Sequence, residues 1–311
     1  MDETLYEVKK ITREQFLEVH GPIAQSLSMV RHKIAVFSGK GGVGKTTATV
    51  NLAVALAQAG YKVGILDADV HGPAVPQILG AAGKIEVSHH MDKNKHHVAL
   101  NVDPTIDMHN FRFDPIKSEH GVKMVSVDSV WPGQDSPVMW RGPHKTRMIR
   151  QFLSTINWGH LDFLLIDLPP GTGDEVLTIM SSIPGLDGMV VVSTPQDVST
   201  IVCSKAINTA KEMNVPILGV LENMSVLICS CCNTPIKLFG ERSARRLARM
   251  MDVDFLGSIP FQPEVNASSD AGIPVIVKFP DSAVAVEIRK IAVSLAETVK
   301  KAKEEEEDLD D

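Results

Sequence analysis

The run Gly39-Lys40-Gly41-Gly42-Val43-Gly44-Lys45-Thr46-Thr47 constrains this chain more than any other feature. It satisfies the pattern G-x-x-x-x-G-K-[ST], and its flanks give the pattern meaning: the β-rich run Ile34–Phe37 precedes it and a helical stretch, Thr46–Gln58, follows. Glycines at these places let successive backbone N–H groups converge on phosphate oxygens, and the helix N-terminus adds its positive dipole end. In such a loop Lys45 reaches the β- and γ-phosphates of ATP, the Thr46 hydroxyl completes a Mg²⁺ shell, and Thr47 meets the α-phosphate. A purely structural glycine turn has no need of Lys45-Thr46 in that register.

A strand, a glycine turn and a helix form the first half of a βαβ unit. Six aliphatic runs read as parallel strands buried on both faces: Ile34–Phe37, Val63–Leu66, Phe163–Ile166, Met189–Val192, Ile217–Leu221 and Phe255–Ile259. On Thr46–Gln58, Leu52, Leu56 and Ala59 share a face, with Gly60 as the stop. The expected fold is α/β, a doubly wound and mostly parallel sheet with helices on both faces. One ATPase domain is expected over residues 31–299. Residues 1–30 are a peripheral segment in which Phe16, Leu17, Ile23 and Leu27 pattern as a helix. Residues 81–120 read as a hairpin-like insertion carrying His89-His90 and His96-His97, a solvated tip rather than a metal site because no Cys or carboxylate spacing completes a ligand set. Residues 300–311 read as a solvated acidic tail.

Composition excludes several classes. A formal charge of -7 opposes broad attraction to nucleic-acid phosphates. No run approaches the ~20 apolar residues of a spanning helix, and the start, Met1 to Glu7, is acidic rather than signal-like, so no membrane role and a cytoplasmic location are expected.

Two acidic elements close predicted strands: Leu66-Asp67-Ala68-Asp69, and Leu165-Ile166-Asp167-Leu168-Pro169-Pro170-Gly171-Thr172-Gly173-Asp174. Asp167 is expected to hold Mg²⁺ through water, and the Gly-Pro turn after it suits a loop that senses the γ-phosphate. Four cysteines cannot make a disulfide framework in a chain of this size, and three of them fall between Cys229 and Cys232. Cys229 and Cys232 form a C-x-x-C with Cys231 as an extra thiol. Two thiolates do not close a four-ligand zinc or cubane site, whereas a symmetric dimer supplies four. The same spacing also fits a redox pair or a metal-free thiol cluster. Cys203 reads as a small buried residue.

The doubled lysine, Lys40 with Lys45, resembles the deviant Walker A class: MinD and ParA-type ATPases, the nitrogenase iron protein and the Mrp-type carriers. That resemblance implies that Lys40 crosses a dimer interface to the partner's nucleotide, that Asp69 positions the attacking water, and that Asn223 recognises adenine. Further strings narrow it. Asp69-Val70-His71-Gly72-Pro73, Met139-Trp140-Arg141-Gly142-Pro143, the Asp167 to Asp174 segment, Glu222-Asn223-Met224-Ser225 and then the C-x-x-C, in this order, are similar to the Mrp (ApbC-type) iron–sulfur cluster carriers. The resemblance runs from about Lys33 to Val299. It implies a homodimer holding a bridging [4Fe-4S] cluster on Cys229 and Cys232 and passing it to apo-proteins, coupled to ATP turnover. Cys231 is additional to the family pattern, which leaves Cys229 with Cys231, or all three thiols, as alternative ligand sets, and Phe239-Gly240 runs into Glu241-Arg242 where a Gly-Gly often follows. The competing reading is a MinD- or ParA-like spatial organiser. Its membrane version needs a basic amphipathic C-terminus, which the acidic tail opposes.

Overall fold

The computed structural model describes residues 21–69, 72–81, 87–90, 111–126, 129, 149–150, 153–229, 231–232, 234–240 and 244–310. Its strands are β1 (Val30–Ser38), β2 (Val63–Asp67), β3 (Val87–His90), β4 (Phe111–Phe113), β5 (Ile116–Lys117), β6 (Val122–Ser126), β7 (Leu161–Asp167), β8 (Gly188–Ser193), β9 (Ile217–Glu222), β10 (Leu227–Ile228), β11 (Pro235–Ile236) and β12 (Phe255–Ser258). The helices discussed below are α1 (21–27), α2 (Lys45–Gln58), α3 (Val75–Leu79), α4 (Asp174–Ser182), α5 (Asp197–Glu212), α6 (Ala244–Met251), α7 (Pro263–Asp270), α8 (Val275–Lys278) and α9 (Ala283–Asp310).

Eight strands form one sheet in the order β12-β9-β8-β1-β7-β2-β6-β5, parallel except for β5, which pairs antiparallel with β6. The chain leaves β1 toward one edge and later returns to fill the other, so the strand order reverses beside β1 and a crevice opens at the carboxyl ends of the central strands. Alternate residues feed two apolar cores. On one face Phe37, Leu66, Leu164 and Ile166 pack with Trp158, Ile207 and Leu247; on the other Ile34, Ile65, Phe163 and Leu165 pack with Leu52, Leu56, Ile288 and Leu295. Helix α2 lies between the sheet and α9, so it is buried almost all round instead of along the single stripe expected.

Four features depart from the sequence reading. Ile23 and Leu27 on α1 are fully buried in the first core, and Ser26 Oγ donates to the Ile156 carbonyl at 2.6 Å, so this helix is integral to the domain and β1 already begins at Val30. Phe16 and Leu17 lie outside the described residues. The sixth strand, β12, sits at the sheet edge and is half-buried along its length. Strand β6, Val-Lys-Met-Val-Ser, follows the insertion and was not anticipated, because Lys123 interrupts its apolar run. Finally, α9 continues through the charge run to Asp310, where a tail was expected from residue 300. Lys, Ala and Glu are good helix formers, and Lys300 and Lys303 anchor this stretch: their Nζ atoms donate to Tyr61 Oη at 2.9 Å and the Arg31 carbonyl at 2.8 Å. In the earlier part of the helix Ile288, Ile291, Leu295 and Val299 are buried, each stabilising by about 1.5–3 kcal/mol.

Candidate functional site

Strand β1 delivers the glycine loop to the crevice. Ser38 closes the strand, accepting the Gly171 N–H on its carbonyl at 3.0 Å and donating its hydroxyl to the Lys40 carbonyl at 3.1 Å. A Cβ on Gly39 would lie 2.9 Å from Val202 Cβ, so only glycine lets the loop rest against α5. Gly42 and Gly44 have φ of +78°, which disfavours any L side chain. Space beside Gly41 and Gly42 is open, which leaves room for phosphates against their amides.

Beneath the loop Lys45 and Asp167 form a buried ion pair at 2.5 Å. Thr46 Oγ1 donates to the same carboxylate oxygen at 2.7 Å, and Thr49 Oγ1 donates to Oδ1 at 2.6 Å. Thr46 and Asp167 thus present oxygens side by side, a hard donor set suited to Mg²⁺. Asp67 lies opposite Asp167 in the pairing of β2 with β7. Burial, reinforced by the neighbouring Asp167 charge, raises its pKa to about 7. It accepts N–H bonds from Asp69 at 3.2 Å and Val75 at 3.3 Å and a hydroxyl bond from Ser126 at 3.2 Å. Asp67 therefore fixes the start of the segment carrying Asp69, whose half-buried carboxylate accepts the Gly72 N–H at 3.3 Å.

Lys40 does not join this group. Its Nζ donates to Gln196 Oε1 at the N-terminal end of α5. Asn223, just beyond β9, donates from Nδ2 to the Val43 carbonyl at 2.8 Å, clamping the loop from the other side. A cleft of about 430 Å³ opens next to it, lined by Gly44, Thr47 and Asn223 from the loop side and by Phe261, Val265 and Asn266 from the facing segment. It is continuous with the phosphate loop and large enough for a purine nucleoside.

The chain runs from Asn223 into a short hairpin. Ser225 N–H donates to the Ile259 carbonyl at 3.0 Å, β10 pairs with β11, and the Cys229 N–H closes on the Thr234 carbonyl at 3.0 Å. Cys229 is half-buried at the tip, while Cys231 and Cys232 are exposed. Cys232 Sγ lies 3.2 Å from Thr234 Oγ1; the Thr234 hydroxyl and amide, with Cys229, donate to its thiolate form and hold its pKa below the usual thiol value. Ile228, Ile236 and Leu238 around the thiols are exposed. Among the described residues no three Cys, His, Asp or Glu side chains converge as a metal site. Cys203 is buried, its thiol pushed up in pKa chiefly by that burial.

Comparison with known proteins decides the family. Residues 29–296 match the ParA family of NUBPL iron-transfer P-loop NTPases. The chain belongs to this family of iron-transfer P-loop NTPases. An iron–sulfur cluster carrier protein of Methanocaldococcus jannaschii is 42% identical over 293 residues, covering 94% of this chain and 93% of the relative. A carrier of the same name from Pyrococcus horikoshii is 44% identical over 273 residues, 88% of each chain. Among solved structures, a nucleotide-binding protein of Archaeoglobus fulgidus in complex with ADP is 37% identical, with a TM-score of 0.65, covering 85% of this chain and 92% of that one. The septum site-determining protein MinD of Pyrococcus horikoshii, at 24% identity and a TM-score of 0.56, shares the fold.

Within this iron-transfer NTPase the glycine loop with Lys45 to Thr47, Asp167 and Asn223 gather in one crevice, while the Lys40 ammonium turns to Gln196 and Asp69 follows the end of β2, its N–H bonded to Asp67. Cys229 and Cys232 lie on a separate projection that continues the Asn223 segment. Val70, His71 and the Met139 to Pro143 string lie outside the described residues. Asp67 and Thr49 escaped the sequence reading. Thr49 follows Lys45 by one helical turn on the face toward Asp167, a spacing legible in the sequence, whereas Asp67 stands at the end of β2 with no such signal.

Proposed function

We propose that this protein is an ATP-hydrolysing carrier that takes up a [4Fe-4S] cluster as cargo between the Cys229 and Cys232 thiolates of two identical subunits and delivers it to apo-proteins in the cytoplasm. The observation that carries the reading is the thiol hairpin, with Cys229 half-buried and Cys232 exposed, built directly onto the segment whose Asn223 clamps the phosphate loop. One subunit offers two such thiolates where a cubane needs four ligands, so the cluster calls for a second copy. The exposed Ile228, Ile236 and Leu238 would shield it from water once paired. The names of the related carriers support the same cargo.

In this reading the loop amides and the α2 N-terminus bind the phosphates of ATP. Lys45 leaves Asp167 for the β- and γ-phosphates, and Thr46 with Asp167 holds Mg²⁺. The metal supplies neutralisation of phosphate charge. Asp69 orients the attacking water, Thr47 meets the α-phosphate, and Asn223 recognises adenine from the cleft wall. Lys40 leaves Gln196 and reaches the partner subunit's nucleotide, stabilising charge that develops during hydrolysis.

Anaerobic reconstitution with iron and sulfide tests the proposal. A brown chromophore that elutes with the dimer and disappears in Cys229→Ala and Cys232→Ala is the expected result. Uptake of zinc alone, or of nothing, by a protein that still hydrolyses ATP would count against carriage and favour a MinD- or ParA-like role. Lys45→Ala is expected to abolish ATP turnover; unchanged turnover would refute the phosphate-loop assignment.

A further inference from the structure

Helix α6, Ala-Arg-Arg-Leu-Ala-Arg-Met-Met, has a composition unlike the rest of this acidic chain. Its inner face, Ala244, Leu247 and Ala248, is buried in the first core. Its outer face carries Arg246, Arg249 and Met250, whose spacings of three and four put them on one surface. Met250 is 62% exposed. Neither Arg246 nor Arg249 makes an ion pair among the described residues, and Arg245 is laid over the Phe255 ring at 4.3 Å. No acidic side chain occurs on the helix. Asp252 and Asp254 follow it in the chain instead, at the end where Lys211 Nζ donates to the Met251 carbonyl at 2.6 Å.

The near end is tied to the cargo side of the molecule. Glu222 closes β9, and its Oε2 accepts the Ala244 N–H at 2.6 Å while Oε1 accepts the Ser258 hydroxyl at 3.1 Å. The thiol hairpin leaves the same strand end, beginning at Leu227. The basic helix and the cysteines thus diverge from one buried carboxylate, and Arg246 and Arg249 lie within the first two turns, under about 10 Å along the helix axis.

We infer that the outer face of α6 is the docking surface for the protein that receives the cluster, and that it selects recipients presenting an acidic face. This deepens the carrier reading and rests on it. Arginine and methionine are side chains that interfaces favour: arginine makes bidentate bonds to carboxylates, and methionine adapts to surfaces of different shape. Two guanidiniums with no ion-pair partner among the described residues, in a chain of net charge -7, select an acidic partner by local complementarity. A lipid surface fits poorly, because the helix's apolar side is already in the core.

The test follows cluster delivery from the reconstituted dimer to the apo-form of an acidic [4Fe-4S] ferredoxin, under anaerobic conditions. For wild type the rate is expected to fall by about tenfold between about 25 and about 250 mM sodium chloride. In the doubly substituted Arg246→Glu, Arg249→Glu protein it should be about tenfold slower at low salt and nearly flat with salt, with cluster content and ATP turnover unchanged. Arg246→Gln with Arg249→Gln should fall between the two. Delivery by both variants at the wild-type rate and salt dependence would overturn the docking surface alone. So would variants that lose dimerisation and cluster content together, which assigns the helix to a second copy, or variants that deliver normally but lose the wild type's binding to phosphatidylserine vesicles, which assigns it to a membrane. A wild type that takes up no cluster overturns the carrier reading and this inference together.

Discussion

At the scale of single residues, Asp67 has the clearest measurable signature. Its folded pKa of about 7 lies above the ordinary aspartate value of 3.8 because burial, and then Asp167, oppose ionisation. Between those values the folded chain binds more protons than the unfolded one, so the stability of nucleotide-free protein should fall as pH rises from about 4 to about 7, by up to about 1.4 kcal/mol per pH unit, and level off above. Asp67→Asn removes the charge and keeps one acceptor oxygen, enough for the Asp69 amide or the Val75 amide but not both. Urea unfolding at a series of pH values should show the slope in wild type and not in the variant; parallel curves would refute the assignment. Gly44→Ala is expected to cost about 1–2 kcal/mol, because φ is +78° there and the added methyl meets the Asn223 amide. The same substitution should weaken ADP binding by calorimetry, and wild-type affinity in the variant would argue against the clamp. The phosphate-binding residues were legible in the sequence because their chemistry is written in consecutive positions. Asp67 was not, since a carboxylate at a strand end looks the same whether it turns outward or, as here, faces a second carboxylate across a parallel ladder.

At the scale of elements, the β10–β11 hairpin tunes its own thiols. Thr234 both closes the hairpin through its carbonyl and bonds Cys232. Thr234→Val removes the hydroxyl and keeps the size. In a Cys231→Ser background, the pH at which iodoacetamide modifies Cys232 half-maximally should therefore move upward, read by peptide mass spectrometry; an unmoved titration would show that the amide and Cys229 suffice. The strands that hold the crevice were readable because β1, β2, β7, β8 and β9 are apolar on both faces, as parallel strands covered by helices must be. Strand β6 was hidden by Lys123, whose ammonium donates to the Trp158 carbonyl at 2.5 Å. That omission mattered for the site, since β6 supplies Ser126 to Asp67.

At the scale of the whole molecule, α9 is the element whose extent the sequence concealed. A run such as Lys300 to Asp311 reads as solvated tail when only composition is considered; what orders it is distant in the chain, at Tyr61 and Arg31. Lys300→Ala loses the 2.9 Å bond to Tyr61 Oη and the ammonium 4.5 Å over its ring. It should lower the thermal midpoint by about 1–3 °C with ATP turnover untouched, and a larger loss of turnover than of stability would contradict that separation. The separation follows from the helix's course. It starts where the Val284 N–H donates to Gln262 on the cleft wall and ends beyond Lys303, bonded at the opposite end of β1. Spanning about 40 Å, it carries its last residues away from both nucleotide and thiols. A dye, a bead or a sensor surface coupled at Asp310 would therefore leave the protein oriented with its working end outward, able to load and unload while immobilised.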